Sequence, residues 1–355
     1  MQILVYEFVT GGGGYSLWPD EPPTGSLLAE GRAMLTAVAS DFAAVQGCDV
    51  TVLRDARLPA FDLDRITSCV VHSAEEELRA FKLLAAKADW TVVIAPEFAG
   101  ILLERCQIVE EVGRLLGPSS KIVQICSDKQ FCAEYLASRG LPVPPGIPLA
   151  AGDELPREFF YPAVLKPRDG CGSLDVRLVR SPQEHPVTLF PARLEQYCPG
   201  QAASVAVIGG RKKSITLWPC EQHLSDDGRF QYEGGSFLSE PLSSRALALA
   251  TDVFSALPDE GKRGYLGIDL VLGDDVQSRH DYVIEVNPRL TTSYVGLRAA
   301  NSGNLAGVIL EAAEGKEPYV NFAKSVPWNG AGEIRPAPFD ITGFQPFPTP
   351  RRRMD

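Results

Sequence analysis

The spacing of apolar and polar positions changes character twice along this chain. "QILVYEFV" (2–9) is a short apolar run ending at a glycine tract, Gly11 to Gly14, and reads as a first strand. A Pro-rich loop leads to about Gly25, and an amphipathic helix fits 26–46. Short strands fit 49–53 and 91–95, and helices fit 74–88 and 98–115. Ser73 followed by Glu76 has capping-box spacing. Strands alternating with helices predict an open parallel α/β domain over 1–120.

"KIVQIC" (121–126) reads as one more short strand. Ser127, with Gln130 three residues on, reads as the cap of a helix that stops at Gly140, and "LPVPP" as a stiff connector. From about residue 160 strand-like runs crowd together: "YPAVLK", "LDVRLV", "ARLEQYC", "ASVAVI" and "KKSITLWP". That density predicts a mostly antiparallel region. A helix fits 244–256, then strands "YLGIDLVL" and "DYVIEVN", then a helix near 304–314. The expected divisions are 1–120, 121–195, 196–340 and a loosely held Pro-rich tail, 341–355.

The net charge of −11 over 355 residues argues against non-specific binding to nucleic acid or anionic membranes. A polyanionic ligand would need a local basic pocket and metal ions. The eight cysteines are scattered without a C-x-x-C pair, and the four histidines lie far apart, so zinc-ligand spacing is absent. The start is acidic where a signal peptide would be basic, and no apolar run approaches a membrane span. A cytoplasmic protein with reduced thiols is expected, and a homodimer is compatible with the composition.

Four stretches suggest chemistry. Asp269 lies in "GIDLVL" and Glu285 and Asn287 in "VIEVN", in otherwise apolar strands. Residues two apart share a strand face, so antiparallel pairing lets Asp269 face both partners. Three oxygen donors on one face suit a hard cation such as Mg²⁺. Lys166 ends an apolar strand before "RDGCGSLD", a Gly-containing turn into another strand. Such a turn can lay backbone N–H groups over phosphate, although an ordinary hairpin with a solvated lysine has the same pattern. "LEQYCPGQAASVAV" reads as strand, linker, strand, with 195–198 free to hold a base or simply to turn. Lys129 opens a helix, against the dipole, and calls for an anion or for solvent.

In this order the four stretches resemble the ATP-grasp superfamily of carboxylate–amine ligases, over roughly 120–297. The resemblance implies a pre-ATP-grasp α/β domain followed by two α+β subdomains with ATP between them. Lys129 and Lys166 would contact phosphates, with the turn holding Gly170, Gly172 and Ser173 closing over them as a lid. Glu195, Gln196, Tyr197 and Cys198 would hold the adenine. Asp269, Glu285 and Asn287 would hold two Mg²⁺ (Mn²⁺ fits the same donors). Arg289 and Lys166 would act on oxygens that gain charge. The run "PGQAAS" has Ala202 near the place where a glutamate often holds the ribose, which leaves Gln201 as a substitute. Gly267 stands where D-alanine–D-alanine ligases carry an arginine, against that branch.

"LVYEFVTGGG", "APE" (95–97), "KPRDGCGS" and "NPRLTTSYVGLR" together look like the tyramine–glutamate ligase group of methanofuran and methylofuran biosynthesis. That implies an amide bond between L-glutamate and tyramine or a related aromatic amine through an acyl phosphate, releasing ADP and phosphate. Candidate substrate contacts are Glu7 and Glu97 at strand ends, Gly234 and Gly235 in "YEGGSF", and Thr292, Ser293 and Tyr294. Another amino-acid or dipeptide ligase and a non-catalytic nucleotide-binding module remain as alternatives. A dehydrogenase is disfavoured, because the N-terminal glycines lack G-x-G-x-x-G spacing and a following helix.

Overall fold

The computed structural model describes residues 1–334 other than 61–63, 185–186 and 323–325. The tail expected from 341 lies outside the described residues.

The first unit runs β1 (Gln2–Glu7), α1 (Gly25–Ala44), β2 (Asp49–Asp55), β3 (Ile66–Val71), α2 (Ala74–Lys87), β4 (Trp90–Ile94) and α3 (Ile101–Val112). Its strands form a parallel sheet in the order β3-β2-β1-β4. The order reverses at β1, so the ends of β1 and β4 flank a topological switch point. β3 was not legible: its half-exposed "ITSCVV" has neither a clean alternation nor a buried run. Ser73 caps α2 through its Oγ, which accepts from the Glu76 amide at 3.1 Å. The Glu76 carboxylate accepts from the His72 amide rather than from that of Ser73.

α4 (Ser120–Ser127) replaces the strand expected at "KIVQIC". Its buried positions Ile122, Val123, Ile125 and Cys126 repeat as i, i+1, i+3, i+4, a helical stripe that a run of β-branched residues disguises. α5 (Lys129–Ala137) follows at once, and its cap is Asp128, not Ser127: Asp128 Oδ1 accepts from the amides of Gln130 and Phe131.

β5 (Gly146–Leu149), β6 (Ala163–Pro167), β7 (Arg177–Val179) and β8 (Ala192–Gln196) form a small antiparallel sheet, ordered β5-β8-β6-β7. The chain then lays down β9 (Gln201–Gly209), β10 (Ile215–Thr216), β11 (Cys220–Leu224), β12 (Tyr232–Phe237), α6 (Leu242–Ala256), β13 (Gly264–Leu272), β14 (Tyr282–Asn287), α7 (Ser293–Ala300), α8 (Leu305–Ala313) and β15 (Trp328–Asn329). Among the described residues these strands make the larger sheet, β14-β13-β9-β11-β12-β15, with β10 beside β9.

The cores show how these parts are joined. One apolar cluster runs without a break from Val5, Val50 and Phe42 of the first unit to Ile208, Tyr265, Leu297 and Trp328 of the large sheet and its helices. At that seam buried Asp41 accepts from Tyr294 Oη at 2.7 Å and pairs with Arg298. The small sheet has its own core, centred on Leu149, Ala163, Leu165, Val179 and Leu194. The first unit and the large sheet are therefore one packed body, and the small sheet is a separate one.

Candidate active site

β13 and β14 pair antiparallel with Gly267 opposite Asn287 and Asp269 opposite Glu285. The two-residue period puts all three donors together, and Asn287 Nδ2 donates to Asp269 Oδ2 at 2.9 Å. A side chain at Gly267 would run into Thr291, which a Cβ there would approach to 2.6 Å. Gln222 on β11, which sequence reasoning missed, donates to the other Asp269 oxygen at 3.1 Å. Past Asp269 the register slips, and Ile284 is left out of the pairing. Its carbonyl is free to accept from Lys166 Nζ at 3.3 Å.

Lys166 arrives from β6 of the small sheet. It is only 3% exposed and pairs with buried Glu195 at 2.5 Å, while Arg193 holds the other Glu195 oxygen at 2.7 Å. Lys129, at the first turn of α5, pairs with Glu285 at 2.7 Å and donates to the Gly170 carbonyl. Burial opposes its charge, but the Glu285 carboxylate offsets that and leaves its pKa above the ordinary value. α5 is pinned there: the Lys129 amide donates to the Arg168 carbonyl, and Arg168 pairs with Asp128.

These groups line one cleft of about 240 Å³ between the small sheet and the large one. Its lining includes Gln196, Tyr197, Cys198 and Ala202, together with Lys129, Lys166, Gly170, Gly172, Ser173, Glu195, Asp269, Glu285, Asn287 and Arg289. The glycine-containing turn takes positive φ at Gly172, Ser173 and Asp175. Ser173 Oγ donates to the Phe230 carbonyl at 2.7 Å, and the Phe230 ring stacks with Tyr197. Burial pushes the Cys171 thiol up to about 12 and the Cys198 thiol to about 11.

Several expected contacts lie elsewhere. Gln201 is not among the cleft-lining residues; its side-chain amide donates to the neighbouring Ala202 carbonyl. Glu7 also stays off the cleft: its buried carboxylate closes the turn after β1 by accepting from Val9, Thr10 and the Thr10 hydroxyl. Glu97 pairs bidentately with Arg289 at 2.8 and 3.0 Å, because a buried carboxylate there needs a cation. Gly234 and Gly235 serve packing: a Cβ at Gly234 would sit 2.2 Å from the Trp328 carbonyl, and one at Gly235 2.7 Å from the Trp328 ring. Tyr294 is wholly buried on Asp41. Thr292 and Ser293 do line the cleft, with Glu30, Tyr232 and Trp328, which sequence reasoning did not find.

Residues 126–293 match the family model of the ATP-grasp domain, and 48–123 match that of the pre ATP-grasp 3 domain. The chain belongs to the ATP-grasp superfamily. This ATP-grasp chain is 24% identical over 323 residues to a tyramine–L-glutamate ligase of Methanocaldococcus fervens, covering 89% of the chain and 95% of that protein. Among solved structures, an ATP-grasp superfamily protein from Archaeoglobus fulgidus superposes with a TM-score of 0.69 at 22% identity, over 93% of this chain and 92% of that one. An L-amino acid ligase from Bacillus licheniformis gives 0.67 at 16% identity, over 92% and 78%. The expected fold, a parallel α/β domain ahead of an ATP-grasp domain, is thus the one present.

The donor set also fits the divalent ions this superfamily implies. Burial and the facing charge of Glu285 push the Asp269 carboxyl up to about 6, a cost that a dication between them would relieve. Two carboxylates and one carboxamide suit Mg²⁺, which takes few protein oxygens. Among the described residues no group of three His, Cys, Asp or Glu side chains is placed to hold a metal. None of their helices is long and apolar enough to cross a membrane, and all eight cysteines are free thiols.

Proposed function

We propose that this ATP-dependent ligase joins L-glutamate to tyramine or a related aromatic amine. The observation that carries the reading is one cleft holding Lys129, Lys166, Asp269, Glu285, Asn287 and Arg289 together. A module that only binds nucleotide has no need for every one of these groups. The curated relative over most of the chain supports the choice of acid and amine.

In this reading the acid's carboxylate attacks the γ-phosphorus of ATP, giving an acyl phosphate and ADP. The amine then attacks the carbonyl carbon; the C–N bond forms, the C–O bond to phosphorus breaks, and phosphate leaves. Lys129 and Lys166 contact phosphate oxygens, and the 170–173 turn covers them. Gln196, Tyr197 and Cys198 border the adenine, with Glu195 holding Lys166 in place through their ion pair. Asp269, Glu285 and Asn287 would hold Mg²⁺, which supplies charge neutralisation at phosphate oxygens. Arg289, braced by Glu97, faces the oxygen on which charge develops. The small sheet, with its separate core, acts as the lid that keeps water from the acyl phosphate.

The test is an ADP-release screen with Mg²⁺, ATP, a panel of amino acids and a panel of amines. Release above background with glutamate plus an arylalkylamine, and with neither alone, is expected. Turnover confined to other acid–amine pairs would end the substrate assignment.

A further inference from the structure

Part of the cleft lining has a chemistry different from that of the metal donors. Tyr232 from β12 and Trp328 from β15 form an aromatic wall, joined by a 2.7 Å hydrogen bond from the Trp328 indole N–H to the Tyr232 hydroxyl. Gly235 and Gly296 leave room for the Trp328 ring; a Cβ at Gly296 would come within 2.1 Å of it. To the same lining the first unit contributes one acidic side chain, Glu30 of α1. The helix is set against the end of β1, where Gly31 meets the Glu7 carboxyl with no room for a Cβ. Burial raises the Glu30 pKa, against the nearby Arg289 charge and a hydrogen bond from Thr292. On its other side Glu30 acts on Tyr232, whose own pKa is raised chiefly by burial. Arg289 is already engaged by Glu97 at 2.8 and 3.0 Å, and among the described residues no ion pair is formed by Glu30 itself.

A half-buried carboxylate beside an aromatic wall, with a neutral hydroxyl partner and a pre-paired arginine, suits an organic cation with an apolar body. We propose that Glu30 is the amine-substrate residue: it binds the ammonium of an arylalkylamine and takes the proton that the amine must lose. This rests on the ligase reading above. The balance is simple. R–NH₃⁺ gives one proton to the Glu30 carboxylate; the free amine attacks the acyl phosphate; phosphate leaves with the C–O electron pair. The second amine proton goes to solvent, and Glu30 returns its own to water before the next turnover. The residue is missed by pattern reading because a glutamate early in an amphipathic helix looks like part of a solvated face.

The experiment compares wild type with Glu30→Gln, using glutamate and ATP with either tyramine or hydroxylamine as the nucleophile. Hydroxylamine is neutral at pH 7 and small, so it needs neither the carboxylate nor the aromatic wall. Glu30→Gln is expected to lower kcat/KM for tyramine on the order of 10²-fold, the scale of general-base loss. Hydroxamate formation should stay within about threefold of wild type, which also shows that the variant folds. The tyramine defect should shrink as pH rises towards the amine's own pKa, because solution then supplies free amine. Equal turnover of tyramine by both proteins overturns the proposal. So does a matching loss with hydroxylamine, which would place Glu30 on the acid or the fold. Wild type that forms neither amide nor hydroxamate contradicts the ligase reading itself, and takes this assignment with it.

Discussion

Lys166 Nζ donates to the carbonyl of Ile284, the one residue that β14 leaves out of register with β13. A cation from the small sheet thus reaches a carbonyl freed by a slip in the large one. The same ammonium keeps its ion pair with Glu195 on its own sheet, so its charge is balanced before any phosphate arrives.

Replacing this ammonium should remove catalysis without unfolding the protein. In Lys166→Met the buried Glu195 carboxylate still has Arg193 at 2.7 Å, so it is not stranded. The rate of ADP release should fall on the order of 10²–10³-fold, the scale of one lost electrostatic stabiliser. The thermal midpoint should move by only a few degrees. Activity within tenfold of wild type would show that Lys166 is not on the phosphates.

The Arg289–Glu97 pair makes a stability prediction instead. Arg289 is 12% exposed and Glu97 2%, so removing one partner leaves the other's charge largely desolvated and without its counter-ion. Glu97→Gln should cost about 3–5 kcal/mol in urea unfolding, as buried pairs do when broken. The double variant Glu97→Gln, Arg289→Met should cost less than the sum of the two singles. Strict additivity would mean the pair does not act as a unit.

Chelation should abolish turnover, and Mg²⁺ or Mn²⁺ should restore it. Asp269→Asn should stay inactive after the same addition, because Glu285, which faces it, is then the one carboxylate left among the three proposed donors. An Asp269→Asn variant with full ATP-dependent ligation would remove the metal role assigned to this strand pair.

The two cleft thiols should be slow to alkylate. Burial holds Cys198 at about 11 and Cys171 at about 12. At pH 8 their thiolate fraction, and with it the rate with iodoacetamide, should lie at least about 10²-fold below that of an ordinary thiol of pKa about 8.5. A raised thiol pKa means the rate climbs as pH rises, about tenfold per unit until the pKa is reached. MgATP should protect Cys198 further. Modification of Cys198 at the speed of a free thiol, read by mass spectrometry, would contradict its placement.

The parts of the site that were legible are those a strand delivers. Asp269, Glu285 and Asn287 break an apolar alternation at a fixed period, and Lys166 ends a strand beside a glycine turn, so polarity stands out against its surroundings. What escaped depends on contacts far apart in sequence. β11 and β12 carry the polar run "EQHL" and two glycines, and they form a sheet only because β9, β15 and the Trp328 ring cover them. Trp328 sits on a two-residue strand with no pattern at all. Glu7 and Glu97 stand out as carboxylates at strand ends, but burial gives both of them partners within the protein. α4 is hidden in the sequence because its β-branched residues favour a strand while its buried positions have helical spacing.

The most direct test of the central claim follows the oxygen of the acid. Glutamate labelled with ¹⁸O in its carboxylates is incubated with the protein, MgATP and tyramine, and the phosphate and amide are analysed by mass spectrometry. Ligation through an acyl phosphate predicts one ¹⁸O in each phosphate released, one amide formed per ADP, and neither product when the acid or the amine is omitted. Unlabelled phosphate, or ADP release that proceeds equally without the acid, would contradict it.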